Sequence, residues 1–111
     1  MRRPRVIAAL LCLLAVATGA SAGEPEITLV LEGHRFAPTE VRVPARQRLR
    51  LVVENKDPTP EEFESYALNR EKVVAPGGRS IVYVGPLEPG RYEFFGDFHP
   101  ATARGWLVAG P

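Results

Sequence analysis

The sequence predicts an all-β fold, an antiparallel sandwich of seven or eight short strands. Short runs rich in Val, Ile, Leu, Tyr and Phe recur along it, and the clearest of them alternates its two faces strictly. Proline and glycine corners separate the runs, 11 prolines and 10 glycines in 111 residues, which leaves little room for helix.

Residues 26–32, Glu-Ile-Thr-Leu-Val-Leu-Glu, are rich in β-formers and open the fold. Gly33 turns the chain. Residues 34–38 form an extended link, because Pro38 holds Ala37 away from helical geometry. Val41 and Val43 flank Arg42, and the run stops at Pro44. In 48–53, Leu49, Leu51 and Val53 share one face while Arg48, Arg50 and Val52 share the other, so the arginines form a solvated face. A loop with two prolines covers 55–60. The segment 61–68 is open between a strand edge and a short helix. As a strand it sets Glu62 and Glu64 on one face and Glu61 with Phe63 on the other. Residues 71–75 are extended and close at Pro76-Gly77-Gly78. Strands follow at 80–84, 92–95 and 106–109, with a tight corner at 86–90.

The chain begins Met-Arg-Arg-Pro-Arg, runs apolar over 6–17 and reaches small residues at Ala20-Ser21-Ala22. This is the pattern of a secretory signal peptide over 1–22, with cleavage after Ala22. The apolar run is short for a membrane span. The expected organisation is therefore a signal peptide and one domain over 23–111, exported to the periplasm and not membrane-spanning after cleavage. Removing 22 of 111 residues leaves 89, enough for one small core. The single cysteine, Cys12, falls in the leader, so no disulfide supports the domain. Without Arg2, Arg3 and Arg5, 11 of the 14 basic residues remain against 13 acidic ones, a formal −2. That balance gives no footprint for nucleic acid. No Ser/His/Asp, Cys/His or phosphate-loop arrangement supports hydrolytic chemistry. The stretch 91–106 does attract attention: aromatic residues crowd a strand end, and Asp97 stands two residues before His99, a place for a metal or a proton.

Several pieces carry a family resemblance. Phe36-x-Pro38, Val41-x-Val43-Pro44 and the 49–55 strand ending in Asn55-x-Asp57 come first. Pro89-Gly90-x-Tyr92-x-Phe94, His99 and Gly105-x-Leu107-Val108 come last. In this order they resemble the cupredoxin family over essentially the whole of 23–111, and the Pro-Gly-x-Tyr ending is the most specific part. The resemblance implies a cupredoxin-like Greek-key β-sandwich. Blue-copper members hold their metal by a His after the third-strand loop, then a Cys, a His and usually a Met around the last loop. Here the first His position falls on Glu61, the Cys position on Gly96 and the Met position near Ala103; His99 alone matches. A blue type 1 site needs a thiolate, so an ordinary blue-copper electron carrier is excluded.

What remains is an oxygen-rich set with one imidazole: Glu61, Glu62, Glu64, Asp97 and His99. His34 joins it if the first turn lies at the same end. Carboxylate and imidazole ligands suit Cu(II), iron or manganese rather than Cu(I). Thr59-Pro-Glu-Glu-Phe-Glu-Ser65, with 68–73, 84–87 and 94–99, is similar to the small exported cupredoxins that accompany bacterial high-affinity ferrous-iron permeases. That resemblance implies periplasmic iron handling with copper or iron bound, and an iron permease or a periplasmic iron-binding protein as partner. Carboxylates stabilise Fe(III) more than Fe(II), so the chemistry implied is one-electron oxidation of Fe(II). Two rivals stand beside it. One is a metal-free cupredoxin-like interaction module, consistent with the missing Cys and Met ligands. The other is a periplasmic copper chaperone, which usually shows Met and His clusters; 23–111 holds no Met.

Overall fold

A computed structural model describes residues 2–4 and 23–111; the signal peptide expected at 1–22 otherwise lies outside the described residues. The described chain forms nine strands: β1 (Glu26–Glu32), β2 (Arg35–Ala37), β3 (Glu40–Pro44), β4 (Leu49–Asn55), β5 (Glu61–Ser65), β6 (Arg70–Val74), β7 (Arg79–Val84), β8 (Gly90–Gly96) and β9 (Arg104–Gly110). One sheet runs β2-β1-β4-β7 and the other β3-β9-β8-β5-β6. The all-β sandwich expected from sequence is what forms.

Three details differ from the expectation. The ninth strand is the 34–38 link: Arg35, Phe36 and Ala37 pair with Glu32, Leu31 and Val30 across a two-residue turn. The sandwich is mixed rather than antiparallel, because β1 runs parallel to β4 and β3 parallel to β9. The chain changes sheet between each of these partners, so their directions are not tied by a hairpin. The segment 61–68 is neither a helix nor an edge. Its first five residues form β5, held between β8 and β6.

The core follows from alternation. Leu29, Leu31, Leu49, Leu51 and Val53 of one sheet meet Phe63, Val74, Phe94, Leu107 and Ala109 of the other, all buried. Phe36 stands edge-on to Phe94 at 5.1 Å between ring centres and to Phe63 at 6.4 Å, the aromatic geometry favoured by ring quadrupoles. Arg48 and Arg50 lie outside as expected, pairing with Glu24 and Glu26 at 3.1 and 2.9 Å. At one end of this sandwich the β1–β2 turn, the β4–β5 loop, the start of β5 and the β8–β9 loop come together, and they carry the site.

Candidate metal centre

Alternation along β5 splits the expected ligand set in two. Glu61, Phe63 and Ser65 point inward and are buried, while Glu62 and Glu64 point outward. On the inner side, donor atoms of His34, Glu61 and His99 all lie within 4.8 Å of one another. On the outer side, Glu62, Glu64 and Asp97 do the same. All six residues singled out in the sequence therefore sit at this end, but they form two groups on opposite faces of one strand. Asp97 does not join His99. It continues the outward side of β8 after Phe95, and its N–H donates to the Glu62 carbonyl at 2.9 Å.

Glu61 organises the inner group. Its side chain is 2% exposed. Oε1 accepts the N–H of Phe98 at 2.8 Å and of Glu62 at 3.1 Å, and Oε2 lies 2.5 Å from His99 Nδ1. An ionised carboxylate only accepts, so opposite one Nδ1 donates, and in the neutral ring Nε2 is then the nitrogen with the free lone pair. The β8–β9 loop makes this possible by folding as a tight turn. His99 N–H donates to the Gly96 carbonyl, and its own carbonyl accepts from Ala103 at 2.9 Å.

Gly96 supplies the space. A Cβ there would stand 2.6 Å from Glu61 Cδ and 2.8 Å from Ala103 Cβ. The position that would carry a cysteine thiolate in a blue-copper site is thus filled by the Glu61 carboxylate. Among the described residues there is no cysteine at all, so the site is not of the blue type 1 kind.

His34 completes the inner group. Its ring stacks on His99, with centres 3.6 Å apart and planes 18° from parallel. His34 Nδ1 is buried and has no hydrogen-bond partner among the described residues. A buried polar atom without a partner calls for an explanation, and a metal ion is one. A single ion with bonds of about 2.0–2.1 Å brings its ligand atoms within about 4.2 Å of one another. Here Glu61 is committed to His99 Nδ1 and the two rings lie face to face, so an ion shared by both imidazoles requires one ring to turn out of the stack. The donor types, two imidazoles and one carboxylate, suit Cu(II) or iron.

Sequence reasoning missed Asp57. Its carboxylate is buried and accepts the N–H of Gly33 at 2.7 Å and of His34 at 2.9 Å. The His34 amide, set against opposing desolvation and helped by Gly33 and the nearby imidazoles, holds this carboxyl below the usual range. A depressed carboxylate contributes stability above its unfolded value, and that contribution is lost as acid protonates it in the fold. The available signal was Asn55-x-Asp57 after a strand, the chemistry of an Asx turn: Asp57 N–H donates to Asn55 Oδ1 at 2.9 Å.

The outer group behaves differently. The hydrogen bond that its protonated form donates to Glu62, then desolvation and the charges of Glu71, Glu62 and Asp97, push the Glu64 carboxyl up to about 7. Glu71 faces Glu64 across the β5–β6 ladder. A raised carboxyl means the fold binds the extra proton, so stability falls as pH rises from about 4.5 to about 7 and levels off above. Glu64→Gln is accordingly expected to melt above wild type at pH 8, with the gap closing by pH 4.5. Thermal melts across that range check this; a gap that persists at pH 4.5 would refute repulsion as its cause.

A two-sheet sandwich with its polar site built from the β8–β9 loop and the start of β5 defines a cupredoxin-like protein. The family model for the cupredoxin-like domain matches residues 5–109, and the chain belongs to that family. It is 45% identical over 83 residues to the uncharacterized protein RP394 of Rickettsia prowazekii (strain Madrid E), an alignment covering 75% of this chain and 66% of that protein. Among solved structures, the metal-binding domain of the Streptococcus pneumoniae D39 Cu(I)-exporting P-type ATPase CopA superposes with a TM-score of 0.69 at 14% identity, covering 78% of this chain and 85% of that one. Auracyanin A, a blue copper protein from Chloroflexus aurantiacus, gives 0.67 at 15% identity, covering 79% and 100%. Amicyanin from Paracoccus versutus gives 0.62 at 16% identity, covering 82% and 87%. Likeness at this level of identity concerns the fold.

Proposed function

We propose that the chain is a periplasmic metal-binding protein of iron uptake that takes one Cu(II) or iron ion at the end of the sandwich where His34, Glu61 and His99 meet, with His99 Nε2 as a ligand and Glu61 holding the other nitrogen of that ring. The observation carrying this reading is the inner group itself: two imidazoles and a buried carboxylate converge, and one imidazole nitrogen is otherwise without a partner. Nitrogen and oxygen donors of this kind suit Cu(II) and iron over Cu(I), which ranks copper chaperoning by a Cu(I) route lower. The CopA domain and auracyanin A, both copper proteins by name, lend support through shared fold.

The chain's own part is to bind and to shield. Glu61 fixes the His99 ring and directs Nε2 toward the ion. The aromatic core behind it, Phe63, Phe94 and Phe36, keeps water from that side. A bound Cu(II) would supply one-electron oxidation of Fe(II). Outside, Glu62, Glu64 and Asp97 give cargo iron an oxygen-only surface on which charge attraction favours Fe(III). Oxidised iron would then pass to a permease or a periplasmic iron-binding protein, the partners expected from the sequence.

The test is Fe(II) oxidation by residues 23–111 loaded with Cu(II), against the same copper free in buffer and against His99→Ala. Oxidation faster than with free copper, and lost in the variant, is the expected outcome. Rates equal to free copper would reject an oxidising role. Recovery of the protein in the periplasmic fraction, starting at Gly23, tests export.

One observation favours a second reading, a metal-free interaction module. The Glu61 carboxylate already has three partners in Phe98, Glu62 and His99. Under that reading, Cu(II) leaves the melting temperature unchanged.

A further inference from the structure

We infer that the outer face of the β3-β9-β8-β5-β6 sheet, at its β5–β6 end, is a docking surface for a partner protein that lays an extended segment, with one basic and one apolar side chain, astride Tyr66. The inference goes beyond the metal-binding reading and is tested on the metal-free protein.

Tyr66 is the anchor. It follows β5 directly and is 79% exposed, the most exposed large apolar side chain among the described residues. Its ring is seated on Phe95, with centres 5.3 Å apart and planes at 60°. Such a side chain has few torsions to freeze on contact, and tyrosine is enriched among the residues that dominate interface energies. The other aromatic rings of this face are covered by arginines. Arg104 lies over Phe95 at 5.4 Å and Arg91 over Trp106 at 4.9 Å. Tyr66 has no such cover.

A groove runs on each side of Tyr66. One, of about 350 Å³, is lined by Glu64, Ser65, Asn69, Arg70 and Glu71. The other, of about 310 Å³, is lined by Ala67, Glu93, Phe95 and Arg104.

The two grooves differ in charge. In the second, Glu93 is paired with Arg104 at 3.0 Å, which leaves it neutral beside the Phe95 ring. In the first, Glu64 faces Glu71 across the ladder, and like charges set opposite each other repel. Neither has an ion-pair partner among the described residues. Lys72 alternates to the other side of β6. Arg70 donates to the carbonyls of Tyr83 and Asn69, each at 2.9 Å. Glu62 and Asp97 adjoin Glu64 and add to the same field. This unmet charge complements a cation, and the Tyr66 ring beside it offers a π face to the same cation. A lysine or arginine side chain answers both.

An extended segment supplies the second contact. Its residues i and i+2 point to the same side, about 6.4–6.8 Å apart. A basic residue can then enter the first groove and an apolar residue the second, with the Tyr66 ring between them. A lone cation would use only the first groove and leave Tyr66 and the Phe95 groove idle.

The probe is a capped peptide, Thr-Lys-Thr-Leu-Thr, titrated into the metal-free protein and followed by amide and tyrosine-ring NMR shifts. The expected result is shifts confined to Tyr66, Glu64, Glu71 and Phe95. Peptides with Glu in place of Lys, or Ser in place of Leu, should each bind on the order of 10-fold more weakly. Tyr66→Ala should weaken the parent peptide by about 10-fold or more, the loss typical of an interface anchor. Glu64→Gln combined with Glu71→Gln should weaken it on the order of 10-fold. All three side chains lie on an outer face, so these variants keep the fold. Three outcomes overturn the inference. Binding lost in the glutamine pair but intact in Tyr66→Ala marks a plain cation-binding surface, open to cargo iron alone. Self-association of the protein in sedimentation, lost in Tyr66→Ala, makes a second copy the occupant. Absence of any shift at Tyr66 rejects the docking face. Cu(II) titration decides the metal reading separately, so either can fail while the other stands.

Discussion

Gly96→Ala is expected to lower stability by about 3 kcal/mol, which for a domain of this size shifts the melting point by roughly 12–24 °C. The added methyl would stand 2.6 Å from Glu61 Cδ, 2.8 Å from Glu61 Oε1 and 2.8 Å from Ala103 Cβ. Neither neighbour can withdraw cheaply. Glu61 is held by Phe98, Glu62 and His99, and Ala103 is held by backbone bonds to Gly96 and His99. Relief requires expelling the carboxylate, which would leave the Phe98 N–H without its acceptor. Urea unfolding of the two proteins measures the difference. Equal stability would mean that Glu61 does not fill the space beside Gly96.

Glu61→Gln is expected to leave the fold within about 1 kcal/mol of wild type, yet to weaken Cu(II) binding on the order of 100-fold, about 2.7 kcal/mol. Glutamine has the same shape, and its carbonyl oxygen can still accept from Phe98 and Glu62. Two things change. The negative charge that attracts the cation is gone. The amide NH2 now points at His99 Nδ1, which must turn acceptor, so the hydrogen moves to Nε2, the nitrogen that would bind the ion. Competition titration against a Cu(II) chelator of known affinity gives the ratio. Undiminished affinity would show that Glu61 neither draws the cation by its charge nor fixes the His99 tautomer.

Much of this architecture is legible in the sequence because it is local. The strict alternation of Leu49, Leu51 and Val53 announces β4, and the corners at Pro76-Gly77-Gly78 and Pro86 to Gly90 bound β7. The two faces of β5 follow from the period of a strand, which by itself separates Glu61 from Glu62 and Glu64. What escapes the sequence is long-range. The β5–β8 register, Phe63 opposite Gly96, brings Glu61 under His99, and nothing within either segment encodes it. Asp97 looks like the natural partner of His99 because it is near in sequence. The loop instead turns His99 inward and leaves Asp97 on the outer face with Glu62 and Glu64. β2 is only three residues long and exists because a hairpin turn presents it to β1, so a link was the natural expectation. Asp57 reads as an ordinary turn residue until the distant β1–β2 turn is seen to hang from it.

The most direct measurement is calorimetric titration of residues 23–111 with Cu(II) and with iron, for wild type and His99→Ala, together with the paramagnetic spectrum of the copper form. The expected result is one ion per chain, a tetragonal signal with nitrogen and oxygen ligands, no intense blue band, and loss of tight binding in the variant. Weak binding of equal strength in both proteins would contradict a metal centre at His34, Glu61 and His99, and would leave the interaction module as the function of this fold.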